Sequence, residues 1–507
     1  MVENPAPTEQ NRVLFLTASE YGEANVVLAV AYELLLRQKY EVHIGSFSPL
    51  KSRIKELNSV AESVTSSQAV FHTVAGPSID EILTAREDFF GPYPPGVQGA
   101  INSFKISIPV IATAWDGPGY MVGYKSCLEI ISNVQPDLLV VGSLMNQGHD
   151  ACQTLQKKYI ILSPNTFREI LGKQQPILSQ LLTYPAIASA FPYPVPWHLI
   201  PANLYIKIRG LTILLTNAKI KELVAFRKSE NLADLPPAFN IWKKEYHYLL
   251  PSIPETDFPC NLMPNVTPCG PLLLPFQPVA EGDPELEIWL RQGPTVLINL
   301  GSHITMDDAM AREFSAALKA LLDIQPKVQV LWKLKKSGRL TLQTAREFKE
   351  KSAAEREADR VTAASLEAIS SEIESGRVKV EEWLSVDPLA VLRSGHVVCA
   401  VHHGGSNSYH ETLSAGIPQI VLPCWLDTFD FANRVEYLGI GVYGSRKAAP
   451  RVERTELSAA FTRVLGDGLE ASRMRSKAKE LGEIANKTGG RMRAAEKIEE
   501  LLKTMRS

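Results

Sequence analysis

The strongest constraint on the fold is a unit that recurs along the chain: a short apolar run, a small polar turn, then a segment with its apolar residues on one helix face. Arg12 to Thr17 (RVLFLT) ends in Ala18-Ser19-Glu20-Tyr21-Gly22, and from Ala24 to Leu36 the residues Val27, Leu28, Ala31, Leu34 and Leu35 recur at helical spacing. Tyr40 to Phe47 (YEVHIGSF) reads as the next strand. Strands linked this way run parallel, because a parallel pair needs a crossover helix where an antiparallel pair needs only a hairpin. Asp137 to Gly142 and Tyr159 to Leu162 repeat the run. After the proline-rich passage Pro264 to Pro284, strands are expected at Thr295 to Asn299, Gln329 to Trp332, Val378 to Val380, Val397 to Val401 and Gln419 to Leu422. The fold class is therefore α/β, with two similar doubly wound domains. The boundary falls within the second proline-rich passage, giving an N-terminal domain 1–275, a C-terminal domain 276–485 and a terminal helix 486–507.

A chain of 507 residues suits two such domains and excludes a single small module. With 53 Lys+Arg against 55 Asp+Glu there is no general drive toward nucleic acid. Six scattered cysteines without a C-x-x-C pair exclude a zinc module or a disulfide scaffold. Met1 to Asn11 lacks the pattern of a secretory leader, and apolar runs such as Leu211 to Leu215 fall short of the ~18 residues of a membrane span. A cytoplasmic protein without a transmembrane segment is expected. Pro192, Pro194, Pro196 and Pro201 are expected to break regular structure, either lining a ligand site or packing as an irregular loop. Arg346 to Arg377, rich in Ala, Glu, Lys and Ser, reads as a solvated helical insertion.

The most informative stretch is Val397 to Gly416 (VVCAVHHGGSNSYHETLSAG). A strand runs into His402-His403-Gly404-Gly405-Ser406-Asn407, and a helix is expected near Ser408, with Ser408-x-x-Glu411 as a capping box. Two glycines at a strand-to-helix junction let a ligand approach main-chain N–H groups, and the positive end of the helix dipole favours phosphate. Gly416 and Pro418 end the helix.

With Trp383 upstream and Pro423 and Asp427 downstream, this stretch resembles the signature of the large family of inverting UDP-dependent glycosyltransferases with GT-B fold, roughly W…H-x-G-x-N-S…E…G-x-P…P-x-x-x-D-Q. Pro264-Asn265-Val266, Gly270-Pro271 and Asn299-Leu300-Gly301-Ser302 resemble the family's linker and the opening of its nucleotide domain. The spelling of the stretch resembles members from filamentous fungi. The resemblance implies two Rossmann-like domains facing across a cleft, a UDP-sugar donor, a small hydrophobic acceptor and no metal or separate cofactor. It implies that Trp383 stacks on uracil and that Glu411 holds ribose hydroxyls. It also implies that Ser302, His403, Gly404, Gly405, Asn407 and Ser408 surround the diphosphate, where charge develops on leaving UDP. Asp427, with Thr428 in place of the usual Gln, would meet the sugar; Asp430 is a second candidate. Val386 stands where many members place a uracil-binding Gln.

The family's base is a His at the first strand-to-helix turn, oriented by an Asp. Here the aligned positions are Glu23 and the neighbourhood of Gly142. Glu23 is thus a candidate base, or a favourable acid in a first helical turn. His149 with Asp150 is the alternative. The implied function is transfer of a sugar from UDP-sugar to a hydroxyl of a small lipophilic acceptor, a secondary metabolite. The alternative is a catalytically impaired GT-B protein that binds UDP-sugar or a hydrophobic ligand without transfer.

Overall fold

A computed structural model describes residues 10–84, 93–302, 304–335 and 364–506. The first sheet contains β1 (Asn11–Leu16), β2 (Tyr40–Phe47), β3 (Val70–Val74), β4 (Leu138–Gly142), β5 (Tyr159–Leu162), β6 (His247–Leu250) and β7 (Val266–Pro268), all parallel and ordered β3-β2-β1-β4-β5-β6-β7. The second contains β8 (Thr295–Asn299), β9 (Gln329–Lys333), β10 (Val378–Glu381), β11 (Val397–His402), β12 (Gln419–Val421) and β13 (Gly441–Tyr443), also parallel, ordered β10-β9-β8-β11-β12-β13. In each sheet the order reverses beside the first strand, at β1/β4 and β8/β11. Such switch points leave a crevice at the carboxyl ends of the strands.

Helices on both faces explain why the central strands are apolar without alternation: Val13, Leu14, Phe15 and Leu16 are all inaccessible to solvent. The nine strand runs read from sequence are all present, shifted by at most one residue at an end. β3, β6, β7 and β13 were not anticipated. β3 is half-exposed, and β7 and β13 have three residues each, too few for a periodic signal.

The chain returns to the first domain at its end. The helix Arg491–Arg506 places Ala494, Ala495, Ile498, Leu501 and Leu502 in the same apolar cluster as Val13, Phe15 and Leu34. At about 1.5–3 kcal/mol per buried large aliphatic side chain, Ile498, Leu501 and Leu502 dominate this docking. The mostly buried Arg37–Glu499 pair at 2.7 Å adds about 1 kcal/mol.

Two expectations need correction. Pro201 does not break structure; it sits in the first turn of the helix Ile200–Thr216, where proline has no N–H to waste. With the turn ahead of it this helix spans Trp197–Thr216, 20 residues, and is by length and composition long and apolar enough to cross a membrane. The run Leu211 to Leu215 underestimated it because Lys207 and Arg209 interrupt the apolar pattern. Around Pro192 to Pro196, Tyr193 packs against Tyr184, Phe258 and Tyr437, which is the packed-loop alternative. Of the expected insertion, residues 346–363 lie outside the described residues, and the rest forms short helices at Glu367–Ile369 and Ser370–Glu374.

Candidate active site

Glu23 lies in the first turn of the helix Tyr21–Leu36 and is 1% exposed. Its Oε1 accepts the Leu144 N–H at 3.0 Å, and Ser143 Oγ donates to the carboxylate at 3.0 Å from Oε2. Ser163 Oγ in turn donates to Ser143 Oγ at 2.8 Å. A Cβ at Gly142 would come within 2.4 Å of Glu23 Oε1, so the missing side chain at the aligned Asp position makes room for the longer acid. Burial pushes the Glu23 pKa up to about 7, against the hydrogen bonds from Leu144 and Ser143 that pull it down. Leu144, whose N–H holds the carboxylate, is itself 41% exposed. A single residue thus separates the buried acid from the surface.

His149 and Asp150 do not form a base pair. His149 Nε2 lies 2.9 Å from the Gly142 carbonyl and Nδ1 lies 3.2 Å from the Tyr159 hydroxyl, so both ring nitrogens are used inside the domain. Burial lowers its pKa to about 4. Asp150 faces Arg227 at 2.9 Å and the Tyr120 hydroxyl. The two side chains sit on one helix, Asn146–Thr154, and point to different partners.

In the second domain β11 ends at His402, which is fully occupied: Nε2 lies 2.8 Å from Gln419 Oε1 and Nδ1 accepts the Gly404 N–H at 3.1 Å. His403 turns the other way. Its ring lies between Gly301 and Gly405, where added Cβ atoms would come within 2.7 and 2.6 Å of it. Gly301 and Gly404 have φ of +85° and +88°, conformations open to glycine. The loop after β8, with Ser302, is thereby brought against His403. The helix begins at Ser406, with Gly405 as its N-cap and no side-chain capping bond, so Ser408 and Glu411 form no capping box. With an extended glycine as cap, the first N–H groups remain available.

This helix start meets the first domain. Asn407 Nδ2 donates to the Tyr21 carbonyl at 3.1 Å, and Ser406 Oγ to the Pro164 carbonyl at 2.7 Å. Tyr21 opens the helix that carries Glu23, so the starts of the two helices are joined across the domains.

Glu411, in the interior of its helix, shares a narrow recess with Ser408, Asn299 and Pro388. Burial, then the nearby Asp387 carboxylate, push its pKa up to about 8. A protonated carboxyl there can both donate and accept toward a diol. Trp383 is 56% exposed, and Lys333 Nζ stands 3.6 Å from its ring centroid, leaving the opposite face of the indole for a flat ligand. Lys333 also donates to the Gly301 carbonyl at 3.2 Å, and Lys335 to the Ser302 carbonyl at 2.9 Å. Desolvation, then Lys335, lower the Lys333 pKa to about 8. Val386 packs near Gly282 and offers no polar group.

Asp427 occupies the N-cap position of the helix Thr428–Tyr437 without making a side-chain cap. Burial raises its pKa, with the Glu169 carboxylate next in effect. Thr428 does not face a ligand: its hydroxyl accepts the N–H groups of Cys424 and Trp425, both at 3.1 Å, and donates to the Trp425 carbonyl. It closes the loop instead of meeting a sugar. Asp430 is paired with Arg168 of the first domain, and Arg434 with Asp257 at 2.9 Å. These buried ion pairs join the domains beside Asp427.

Sequence reasoning missed Lys333, Lys335 and Asp387. The lysines follow Gln329 to Trp332 directly, and a cation at the carboxyl end of a strand in a nucleotide-type domain was the available signal. Asp387 precedes Pro388 as the N-cap of a short helix and gave no separate signal.

Residues 372–487 match a family described as erythromycin biosynthesis protein CIII-like, C-terminal domain. Glycosyltransferase sdnJ of Sordaria araneosa is 37% identical over 513 residues, covering 96% of each chain. Erythritol-mannosyl-transferase 1 of Mycosarcoma maydis is 33% identical over 122 residues, which is 24% of this chain and 19% of that one. Among solved structures, a UDP-glucosyltransferase from Polygonum tinctorium, capable of glucosylating indoxyl and in complex with 3,4-dichloroaniline, superposes with a TM-score of 0.61 at 16% identity, covering 99% of this chain and 100% of that one. The calicheamicin glycosyltransferase CalG4 does so with 0.57 at 15%, covering 98% and 100%. The near full-length relative, together with two parallel-sheet domains joined at a glycine-bearing helix start, shows that this chain is an enzyme belonging to the glycosyltransferases, with the GT-B fold.

Proposed function

We propose that this glycosyltransferase moves a sugar from UDP-sugar, with inversion, to a hydroxyl of a small lipophilic acceptor, a secondary metabolite, with Glu23 as proton acceptor. The observation that carries the reading is the joining of the two helix starts through Asn407 and Tyr21. It sets the helix bearing Glu23 against the helix whose N–H groups would receive the diphosphate. In this reading uracil stacks on the open face of Trp383, Glu411 meets the ribose, and Ser302, His403, Gly404, Gly405, Asn407 and Ser408 surround the phosphates. Asp427 meets the sugar. A Glu23 carboxyl near neutrality suits a general base, since proton transfer is most effective when the catalytic pKa lies near the working pH. The small aromatic ligand named for the Polygonum tinctorium neighbour, 3,4-dichloroaniline, supports an apolar acceptor.

The test is incubation with several UDP-sugars and a library of hydroxylated apolar metabolites, read by mass. Transfer that is lost in Glu23→Gln while UDP binding persists supports the reading. UDP binding without transfer to any acceptor favours the catalytically impaired alternative.

A further inference from the structure

We propose that the outer face of the helix Trp197–Thr216 docks on an anionic lipid surface. The helix lies at the exterior of the first domain, and within Ile200–Thr216 only Asn203, Ile206 and Gly210 are buried. At about 100° per residue these three fall on one side. Tyr205, Ile208, Leu211 and Leu215, all more than half exposed, fall on the other. Arg209 flanks the apolar face on one edge; on the other, Lys207 turns its ammonium inward to the Gln180 and Tyr184 carbonyls. Trp197, 83% exposed, stands at the start of the helix, and Ile177, Leu178 and Leu182 of the adjoining turn are exposed as well. A monomer in water rarely gathers so many large apolar side chains on one face. An apolar face with Arg209 at one edge, exposed Lys219 and Lys221 just past its end and an indole at its start suits the boundary between headgroups and acyl chains.

Charge selects the occupant. The 52 residues from 170 to 221 contain no Asp or Glu, although the chain has 55 in 507, and they hold Lys173, Lys207, Arg209, Lys219 and Lys221. Lysine is depleted at protein–protein interfaces but favours anionic headgroups. The helix lies on the surface rather than spanning it, because its inner face is built into the fold. Asn203 accepts the Ala186 N–H at 2.6 Å and donates to the Tyr184 carbonyl at 3.0 Å, and Lys207 donates to the same carbonyl at 2.7 Å. Extraction into a bilayer would strand these groups. Ile206 joins Phe104, Ala186 and Ala188 in a cluster that also receives Leu426, the neighbour of Asp427. The lipid-facing helix therefore backs directly onto the loop assigned to the donor sugar. The inference stands whatever the acceptor is.

The experiment is co-sedimentation of the full chain with vesicles of phosphatidylcholine alone and with phosphatidylserine added. The expected result is binding to the anionic vesicles that weakens with salt. Ile208→Glu/Leu211→Glu and, separately, Lys219→Glu/Lys221→Glu should each reduce it roughly ten-fold or more. UDP affinity, read by calorimetry, should be unchanged in both and shows that they fold. Three results overturn the proposal: no sedimentation of the wild type, equal binding to neutral and anionic vesicles, or equal binding by wild type and Ile208→Glu/Leu211→Glu. If the wild type ignores vesicles and Ile208→Glu/Leu211→Glu converts a dimer to a monomer, the face is a contact between copies of the chain.

Discussion

Replacing Glu23 by Gln separates what the acid costs the fold from what it gives the reaction. The side chain is buried, and its pKa rises from the ordinary 4.5 to about 7. Between those values the folded state holds a proton that the unfolded chain has released, so stability falls as pH rises through the window. At about 1.4 kcal/mol per unit, the ionised carboxylate costs the fold about 3 kcal/mol once pH exceeds the folded pKa. Gln keeps the size, can accept the Leu144 N–H, and can donate to Ser143 Oγ. In paired denaturant titrations from pH 4 to pH 8, wild type minus variant should therefore fall by about 3 kcal/mol, leaving Glu23→Gln the more stable protein at alkaline pH. Turnover should move the other way, with the variant slower by about 10²–10⁴-fold. Wild-type turnover should rise with pH and reach half its plateau near 7, the variant's residual rate losing that limb. Near-normal transfer by Glu23→Gln, or a stability difference that does not change with pH, would refute the reasoning.

Trp383→Ala should weaken UDP binding by about 1–3 kcal/mol through lost stacking, read by calorimetry; unchanged affinity removes Trp383 from the nucleotide site. Asp427→Ala should depress transfer far more than UDP affinity, whereas Asp430→Ala should mainly lower the melting temperature, because it leaves the Arg168 guanidinium without its carboxylate partner. If Asp430→Ala instead shows the selective loss of transfer, the sugar contact lies three residues further on. Arg434→Met should destabilise the protein by about 3–5 kcal/mol in denaturant titration, since it strands the Asp257 carboxylate inside the contact between domains. His149→Ala, the matched control for Glu23, should reduce stability and leave the pH limb of turnover in place.

The doubly wound pattern was legible because a strand buried on both faces must be a continuous apolar run, and β1, β4, β5 and β8 contain little else. The helix Ile200–Thr216 was obscured by Lys207, whose ammonium is held by carbonyls distant in sequence, so the apolar pattern breaks where the fold does not. At the site, motif spacing located the turn from His402 to Gly405 and the resemblance chose His403, but nothing in the sequence said what turns His402 inward. That depends on Gln419, seventeen residues away, which takes up His402. The same limit applies to Thr428 and Asp430. Their residue types suit a sugar, and only the backbone of the loop from Cys424 and the approach of Arg168 show that both are already engaged. Glu23 and Gly142 are the converse case, since an aligned pair 119 positions apart in the sequence proved to be in contact distance.

The return of Arg491–Arg506 to the first domain orders events during synthesis. Residues 11 to 268 leave the ribosome long before residues 491 to 506, and until those emerge the aliphatic surface awaiting Ile498, Leu501 and Leu502 stays uncovered. The first domain must therefore persist as a nearly complete intermediate while the whole second domain is made, with a sticky strip that invites chaperones or self-association. A stop ahead of Arg491 would damage the domain built from residues 11 to 268, more than two hundred positions upstream.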